Sequence, residues 1–249
     1  MTLIYIFWGE FPGFTDVLAC AKKRAGCPII VVSDGAPPPG VKHIPIQNFK
    51  YAETFLKLAG KQVGKGMATC IARWFVLRDL LLTTPLNHPI FCSDWDILIF
   101  ENLEKAHAPF LDFDYAVSTS DGISSAAYAI NSRLPLDEFC AKSESLFSNN
   151  EPVAQNQNDM AIWRYVSGTG KFKVGNLNQV VDSRLFDHNM HCGESEFVFD
   201  GPAKRVQFVE GYPFFQAKDG SLIKAVTFHC WGTYHTRTKE MRERAGIPL

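Results

Sequence analysis

The first hundred residues alternate short apolar runs with longer segments of helical spacing, and this alternation restricts the fold strongly. LIYIFW (residues 3–8) is stopped by Gly9 and Pro12, CPIIVVSDG ends at Asp34-Gly35, and HPIFCSDWDILIF reads as a third run. Runs this short and apolar suit strands buried on both faces. Between the first two lies FTDVLACAKKRAG, with Thr15 as its expected cap, apolar Val17, Leu18 and Ala21, and basic residues before Gly26. That pattern predicts a helix. MATCIARWFVLRDLLLT predicts a longer one, apolar over much of its surface and interrupted by Arg73 and Arg78. Strand, helix, strand with compact connections gives an α/β fold with a mixed, mostly parallel central sheet flanked by helices. VKHIPI adds a short strand, and HPIFCSDWDILIF is expected to lie centrally as one strand.

Beyond residue 100 the pattern loosens. Strands are expected at 115–119 and 126–131, and a helix at 136–147. The polar stretch SNNEPVAQNQNDMAIWRYVSG becomes helical near Asp159; short strands such as VQFVEG and IKAVTFH follow, and TRTKEMRERAG closes as a helix. With no linker or repeat, 249 residues read as one domain. Hydrophobic residues at 46% and charged residues at 20% exclude a disordered chain. The formal net charge of -1 offers no basic excess for nucleic acid. Seven cysteines without a CxxC pair fit reduced thiols rather than a disulfide scaffold. MTLIYIFWGEFPG lacks a basic leader and reads as a first strand, and no run is long enough to span a bilayer. The cytoplasm, or a membrane surface facing it, is the expected location.

Within FCSDWDILIF, an extended backbone would put Asp94 and Asp96 on one face and Ser93 and Trp95 on the other. Two neighbouring carboxylates raise each other's proton affinity unless a cation offsets the repulsion. Mn²⁺ or Mg²⁺ suits them, with a substrate diphosphate completing the shell. Such an ion neutralises charge developing on a departing phosphate. The alternative is a solvated carboxylate pair at a strand end. Placement after an apolar strand favours a ligand, because open α/β sheets bind ligands beyond the carboxyl ends of their strands.

The opening strand, VVSDG, ATCIARWFVLRDLL, SDWD, NDMAIW and HCWG occur in an order that spans most of the chain. Together they resemble a nucleotide-sugar-dependent glycosyltransferase with the GT-A fold and a DxD motif. The resemblance implies a metal-dependent transferase acting on a nucleoside diphosphate sugar, UDP-linked by fold-level expectation, and a saccharide acceptor of a glycan or glycoconjugate. Residues 1–100 would form the nucleotide-binding half, and 101–249 the acceptor-binding and C-terminal half. Asp96 would be the firmest metal ligand, with Asp94 and His229 assisting. A nucleotidyltransferase is the first rival, although FWGEFPGF lacks the basic residues of a triphosphate-binding loop. The second is a non-catalytic carbohydrate-binding or scaffold protein with the same fold.

Further positions carry paired readings. Asp34 could accept a hydrogen bond from a nucleobase or ribose, or close an Asp-Gly turn. Phe7 and Trp8 could border the nucleoside or sit in the core. Arg73, costly inside an apolar helix without a partner, could contact the donor or the acidic motif, or bridge in solvent; Arg78 ranks behind it. Asp159 could deprotonate the acceptor hydroxyl as the catalytic base, or it or Asn158 could cap a helix. His229 could offer a neutral imidazole to the metal, or be a core or surface histidine. Gly232 would let the chain approach phosphates, while Trp231 and Tyr234 could line the donor site. Lys239 and Arg242 could reach phosphates or lie on a solvated helix face. A rival zinc site would join His188, His191 and Cys192 to His229 or Cys230, without a familiar zinc spacing.

Overall fold

Alternate residues of β1 (Thr2–Phe7) enter two separate apolar layers, Leu3 and Tyr5 on one side and Ile4 and Ile6 on the other. A strand with two apolar faces must lie inside a sheet covered on both sides. A computed structural model of the chain describes all residues except 37, 87, 120–122, 150–157, 188–195 and 231–236, and residues 119 and 123–126 by backbone alone.

The first layer is entered by α1 (Phe14–Arg24), and β2 (Ile29–Ser33) and β3 (Lys42–Pro45) follow in parallel beside β1. Next come α2 (Lys50–Val63), α3 (Lys65–Thr83), β4 (Ile90–Ser93) and β5 (Ile97–Ile99). They are followed by α4 (Leu103–His107), β6 (Tyr115–Thr119), β7 (Ile123–Ile130), α5 (Leu134–Ser148), α6 (Asp159–Gly168) and β8 (Val174–Asn176). The main sheet has seven strands in the order β3-β2-β1-β4-β7-β6-β8. β1 is parallel to β2 and to β4, and β6 to β8; β7 runs antiparallel to β4 and β6. The sheet is therefore mixed and mostly parallel, as the sequence predicts.

Residues of α2, α3, α5 and α6 build the apolar layer on one face. The other face receives α1, α4 and a second sheet, formed from β5, β9 (Arg184–Phe186), β12 (Val206–Val209), β13 (Tyr212–Gln216) and β14 (Leu222–His229). The two-residue strands β10 (Phe199–Asp200) and β11 (Ala203–Lys204) pair separately, and α7 (Arg237–Arg244) follows β14. Each fully buried Ile, Val or Phe in these layers contributes about 1.5–3 kcal/mol.

Three expectations are corrected, and one helix is added. HPIFCSDWDILIF is not one strand: β4 belongs to the main sheet and β5 to the second, and between them the Ile97 amide bonds the Asp94 carbonyl at 3.3 Å. Asp94 and Asp96 thus flank a turn rather than share the face of a strand. Thr15 does not cap α1; Gly13 does, at φ 86°, and Thr15 lies in the first turn. YAETFLKLAGKQV, which carried no helical expectation, forms α2 with Ala52, Phe55 and Ala59 buried at helical spacing. Arg242 is neither solvated nor aimed at a phosphate. It is buried, donates to Asp16 Oδ1 and to the Ile247 carbonyl at 2.6 Å each, and ties α7 to α1. Among the described residues, no helix is long and apolar enough to cross a membrane, and the six described cysteines are free thiols.

Candidate active site

The carboxyl ends of β1 and β4, the acidic turn and the end of β14 meet at one edge of the two sheets. Asp94, Asp96 and His229 each present a ligand atom there, all within 4.8 Å of one another. Asp96 and His229 are buried, with His229 Nε2 at 3.5 Å from Asp96 Oδ1. The backbone fixes that approach. His229 lies opposite Ile97 in the β14–β5 pairing, and the Cys230 amide bonds the Asp96 carbonyl at 3.0 Å.

Arg73 projects from α3 into this cluster. It donates through Nη1 to Asp94 Oδ1 and through Nη2 to Asp159 Oδ2 at 2.8 Å. Trp74 Nε1 donates to the same Asp159 oxygen at 3.3 Å. Arg73 is 7% exposed and Asp159 only 2%, so a side chain that would be costly alone is partnered by two carboxylates. Asn158, not Asp159, caps α6, its Oδ1 accepting from the Ala161 amide at 2.8 Å. Asp159 Oδ1 accepts the Met160 amide at 3.0 Å, while its Oδ2 is turned toward Arg73 and Trp74.

Asp94 feels opposing influences. Burial pushes its carboxyl up, Arg73 pulls it down, and Asp96 pushes it up again, leaving it at about 6. A divalent cation between the two carboxylates would relieve that repulsion. Two hard carboxylates and an imidazole, converging within 4.8 Å, fit Mn²⁺ or Mg²⁺ better than a soft metal.

Beside the cluster is a small cleft of about 150 Å³, lined by Phe7, Trp8, Phe11, Thr69, Arg73 and Trp95 among others. Phe11 and Trp95 stack at 4.1 Å with their planes 9° apart. Asp34 is exposed at the end of β2, and its Oδ1 accepts from the Gly9 amide at 2.6 Å. This bond holds the loop after Trp8, where Gly9 sits at φ 90°, a conformation that side chains resist. Cys70 also lines the cleft, but burial pushes its thiol up to about 11, so it is no thiolate nucleophile at neutral pH.

The structure therefore gathers Phe7, Trp8, Arg73, Asp94, Asp96, Asp159 and His229, with Asp34 bracing the neighbouring loop. Arg78 is directed elsewhere, to Glu144 at 3.2 Å and over the Tyr51 ring. Lys239 is exposed and 3.9 Å from Glu243. Trp231, Gly232 and Tyr234 lie outside the described residues, as do His188, His191 and Cys192 of the rival zinc site. Sequence reasoning passed over Phe11, an aromatic in the loop just after β1, and placed Trp95 only on the face opposite the acidic pair. It also passed over Asp187, whose carboxylate accepts from the His229 amide at 3.1 Å. The signal for Phe11 was its place between Gly9 and Gly13; for Asp187 there was none.

These features define a GT-A-like α/β fold with an acidic turn at its ligand edge. No protein-family model matches the chain, and no curated protein matches it. Among solved structures it is similar to the galactosyltransferase LgtC in complex with donor and acceptor sugar analogues. The TM-score is 0.50 at 12% identity, with 99% of this chain and 95% of that one covered. It is also similar to mouse xyloside xylosyltransferase 1, with a TM-score of 0.52 at 10% identity, covering 76% of this chain and 89% of that one. A weaker similarity, with a TM-score of 0.43 at 12% identity, links 71% of the chain to the Streptococcus pneumoniae glycosyltransferase GlyE, of which it spans 44%. At these identities the first two matches establish the shared fold.

Proposed function

We propose that the chain is a metal-dependent glycosyltransferase that moves a sugar from a nucleoside diphosphate donor, UDP-linked, to a saccharide hydroxyl of a glycan or glycoconjugate. One observation carries the reading: Arg73, Asp94, Asp96, Asp159 and His229, distant in sequence, meet beside an aromatic cleft at the carboxyl ends of the sheet. That LgtC is a galactosyltransferase seen with donor and acceptor sugar analogues, on the same fold, supports it.

Asp96, Asp94 and His229 would hold Mn²⁺ or Mg²⁺, which supplies neutralising charge to the departing diphosphate. Arg73 keeps Asp94 ionised and in place. Phe7, Trp8, Phe11 and Trp95 exclude water from the nucleoside, with Asp34 steadying their loop. Trp231 and Gly232 are assigned to the donor by resemblance. Residues 1–100 supply most of the donor pocket, and 101–249 the acceptor side together with Asp159 and His229. Seven cysteines without a CxxC pair suit a reducing compartment, the cytoplasm or its membrane face.

Asp159 is the proposed base for the acceptor hydroxyl, although its bonds to Arg73 and Trp74 also suit an orienting role. Asp159→Asn separates the two: lost turnover with retained donor binding supports the base, and loss of both supports orientation. The primary test is a screen of nucleotide sugars for Mn²⁺-dependent release of nucleoside diphosphate. An Asp96→Ala variant that binds and turns over UDP-sugars like the parent would sink the mechanism; metal-dependent nucleotide binding without turnover would favour a non-catalytic protein.

A further inference from the structure

Away from the cleft, a charged pair that apolar packing alone does not explain is buried between β11 and the residue after β9. Lys204 Nζ donates to Asp187 Oδ1 at 2.8 Å, and both side chains are 0% exposed. The Lys204 ammonium lies 5.3 Å from the ring centres of both Phe197 and Phe215. Taking two charges out of water costs several kcal/mol per ion, and apolar residues of similar volume often serve stability equally well. The second carboxylate oxygen has a different task. Asp187 Oδ2 accepts the backbone N–H of His229 at 3.1 Å.

The topology explains why that bond is needed. β9 runs parallel to β14 and ends at Phe186, opposite Thr227. β14 continues two residues further, so the His229 amide points toward an edge where β9 no longer offers a carbonyl. The side chain of Asp187, the residue after β9, supplies the acceptor instead. On the other edge, the Cys230 amide is held by the Asp96 carbonyl at 3.0 Å. Successive amides at the end of β14 are thus fixed from opposite sides, one by the acidic turn and one by the buried carboxylate.

We infer that Asp187 is a positioning residue for the cation site. Its carboxylate, oriented by Lys204, locks the backbone of His229 so that the imidazole faces Asp96 before any cation arrives. This rests on the proposed metal-dependent function and extends it to residues that touch neither cation nor donor. Outer-shell groups of this kind alter metal affinity by about 10–100-fold when removed.

Two double variants isolate the bond from the ion pair. D187N/K204M removes both charges but keeps a carbonyl oxygen able to accept from His229. D187L/K204M removes both charges and the acceptor at similar side-chain volume. Mn²⁺ alone is the probe, with free ion followed by electron paramagnetic resonance and folding by thermal denaturation. The expected result is affinity within about threefold of the parent for the asparagine variant, and at least about tenfold weaker for the folded leucine variant. Equal affinities in both would overturn the positioning role while leaving the cation site intact. Failure of the parent to bind Mn²⁺ would remove the site, and the inference with it. If the leucine variant does not fold, hydrogen exchange at the His229 amide in the cation-free parent decides: slow exchange supports a prelocked strand end, and exchange at the rate of an exposed amide refutes it.

Discussion

Replacing Arg73 with methionine keeps most of the aliphatic stem but withdraws the guanidinium from two carboxylates at once. The parent side chain is 9% exposed and bonds both Asp94 and Asp159. Breaking a buried pair by removing one partner costs about 3–5 kcal/mol, because a charge is left uncompensated. For a domain of this size each kcal/mol lowers Tm by about 2–4 °C, so the variant should melt about 6–20 °C below the parent without cation. The deficit should depend on pH in a defined direction. Burial is the largest influence on the Asp94 carboxyl and raises it, and Arg73, ahead of His229, is the larger of the two that lower it, leaving it at about 6. Without Arg73 the carboxyl rises further, and protonation then removes the uncompensated charge. The gap between variant and parent should therefore be widest near pH 8 and narrow as pH falls toward 5. A cation bound with free ion at 100 times its Kd adds about 2.7 kcal/mol, so saturating Mn²⁺ should recover a measurable part of the lost Tm at pH 8. Calorimetry across pH, with and without Mn²⁺, reads all three effects. A variant that melts within a degree of the parent at pH 8 would show that Arg73 neutralises nothing, and the charge argument for the site would fall.

Mn²⁺ affinity of the parent should be level from pH 7 to 8 and fall by up to about tenfold per unit below pH 6, where Asp94 takes up its proton and competes with the ion. The sign for stability is the reverse: a carboxyl raised from 3.8 to about 6 binds its proton more tightly when folded. The cation-free protein should therefore lose stability from this group as pH rises through that window, as calorimetry would show. Phe11→Ala removes the 4.1 Å stack on Trp95, worth about 0.5–1.5 kcal/mol beyond area burial; donor KM should rise several-fold with kcat little changed in steady-state kinetics. Arg242→Met should cost about 3–5 kcal/mol of stability through Asp16 yet leave the Kd for UDP unchanged, measured by titration calorimetry below the variant's Tm.

The parts of this molecule that the sequence announces are those where one local pattern decides the outcome. LIYIFW and IIVVS are apolar on both faces, and a strand of that kind has few places to go other than a covered sheet. ARWFVLRDLL announces a helix, and its lone early arginine signals that a buried partner must exist. Neither Asp94 nor Asp159 can be chosen as that partner from spacing, because they lie 21 and 86 positions away along the chain. The break inside FCSDWDILIF is hidden for another reason. Ile, Leu and Ile continue the apolar run after the acidic pair, so nothing local shows that they leave one sheet for another. Asp187 is invisible for the same reason as the Arg73 partners: its meaning depends on where β9 stops relative to β14.

That break in FCSDWDILIF changes what places the two carboxylates. If the run were one strand, its pleat would set their separation, and any strand end with DxD would serve equally. Because β4 pairs with β1 and β7 while β5 pairs with β14, the acidic turn is the point where the chain crosses between sheets. The β5–β14 register then controls His229. Thr227 lies opposite Ile99, Phe228 opposite Leu98 and His229 opposite Ile97, which places the imidazole next to Asp96. A slip of one residue would turn His229 to the opposite face of the second sheet and bury Phe228 less well. The apolar fit of Leu98, Ile99 and Phe228, all 0% exposed, thus fixes the register, and the register fixes the approach of His229 to Asp96. Core packing and the proposed chemistry are coupled through three strand pairs, and changes in the β5 side chains should reach the cation before they reach the fold.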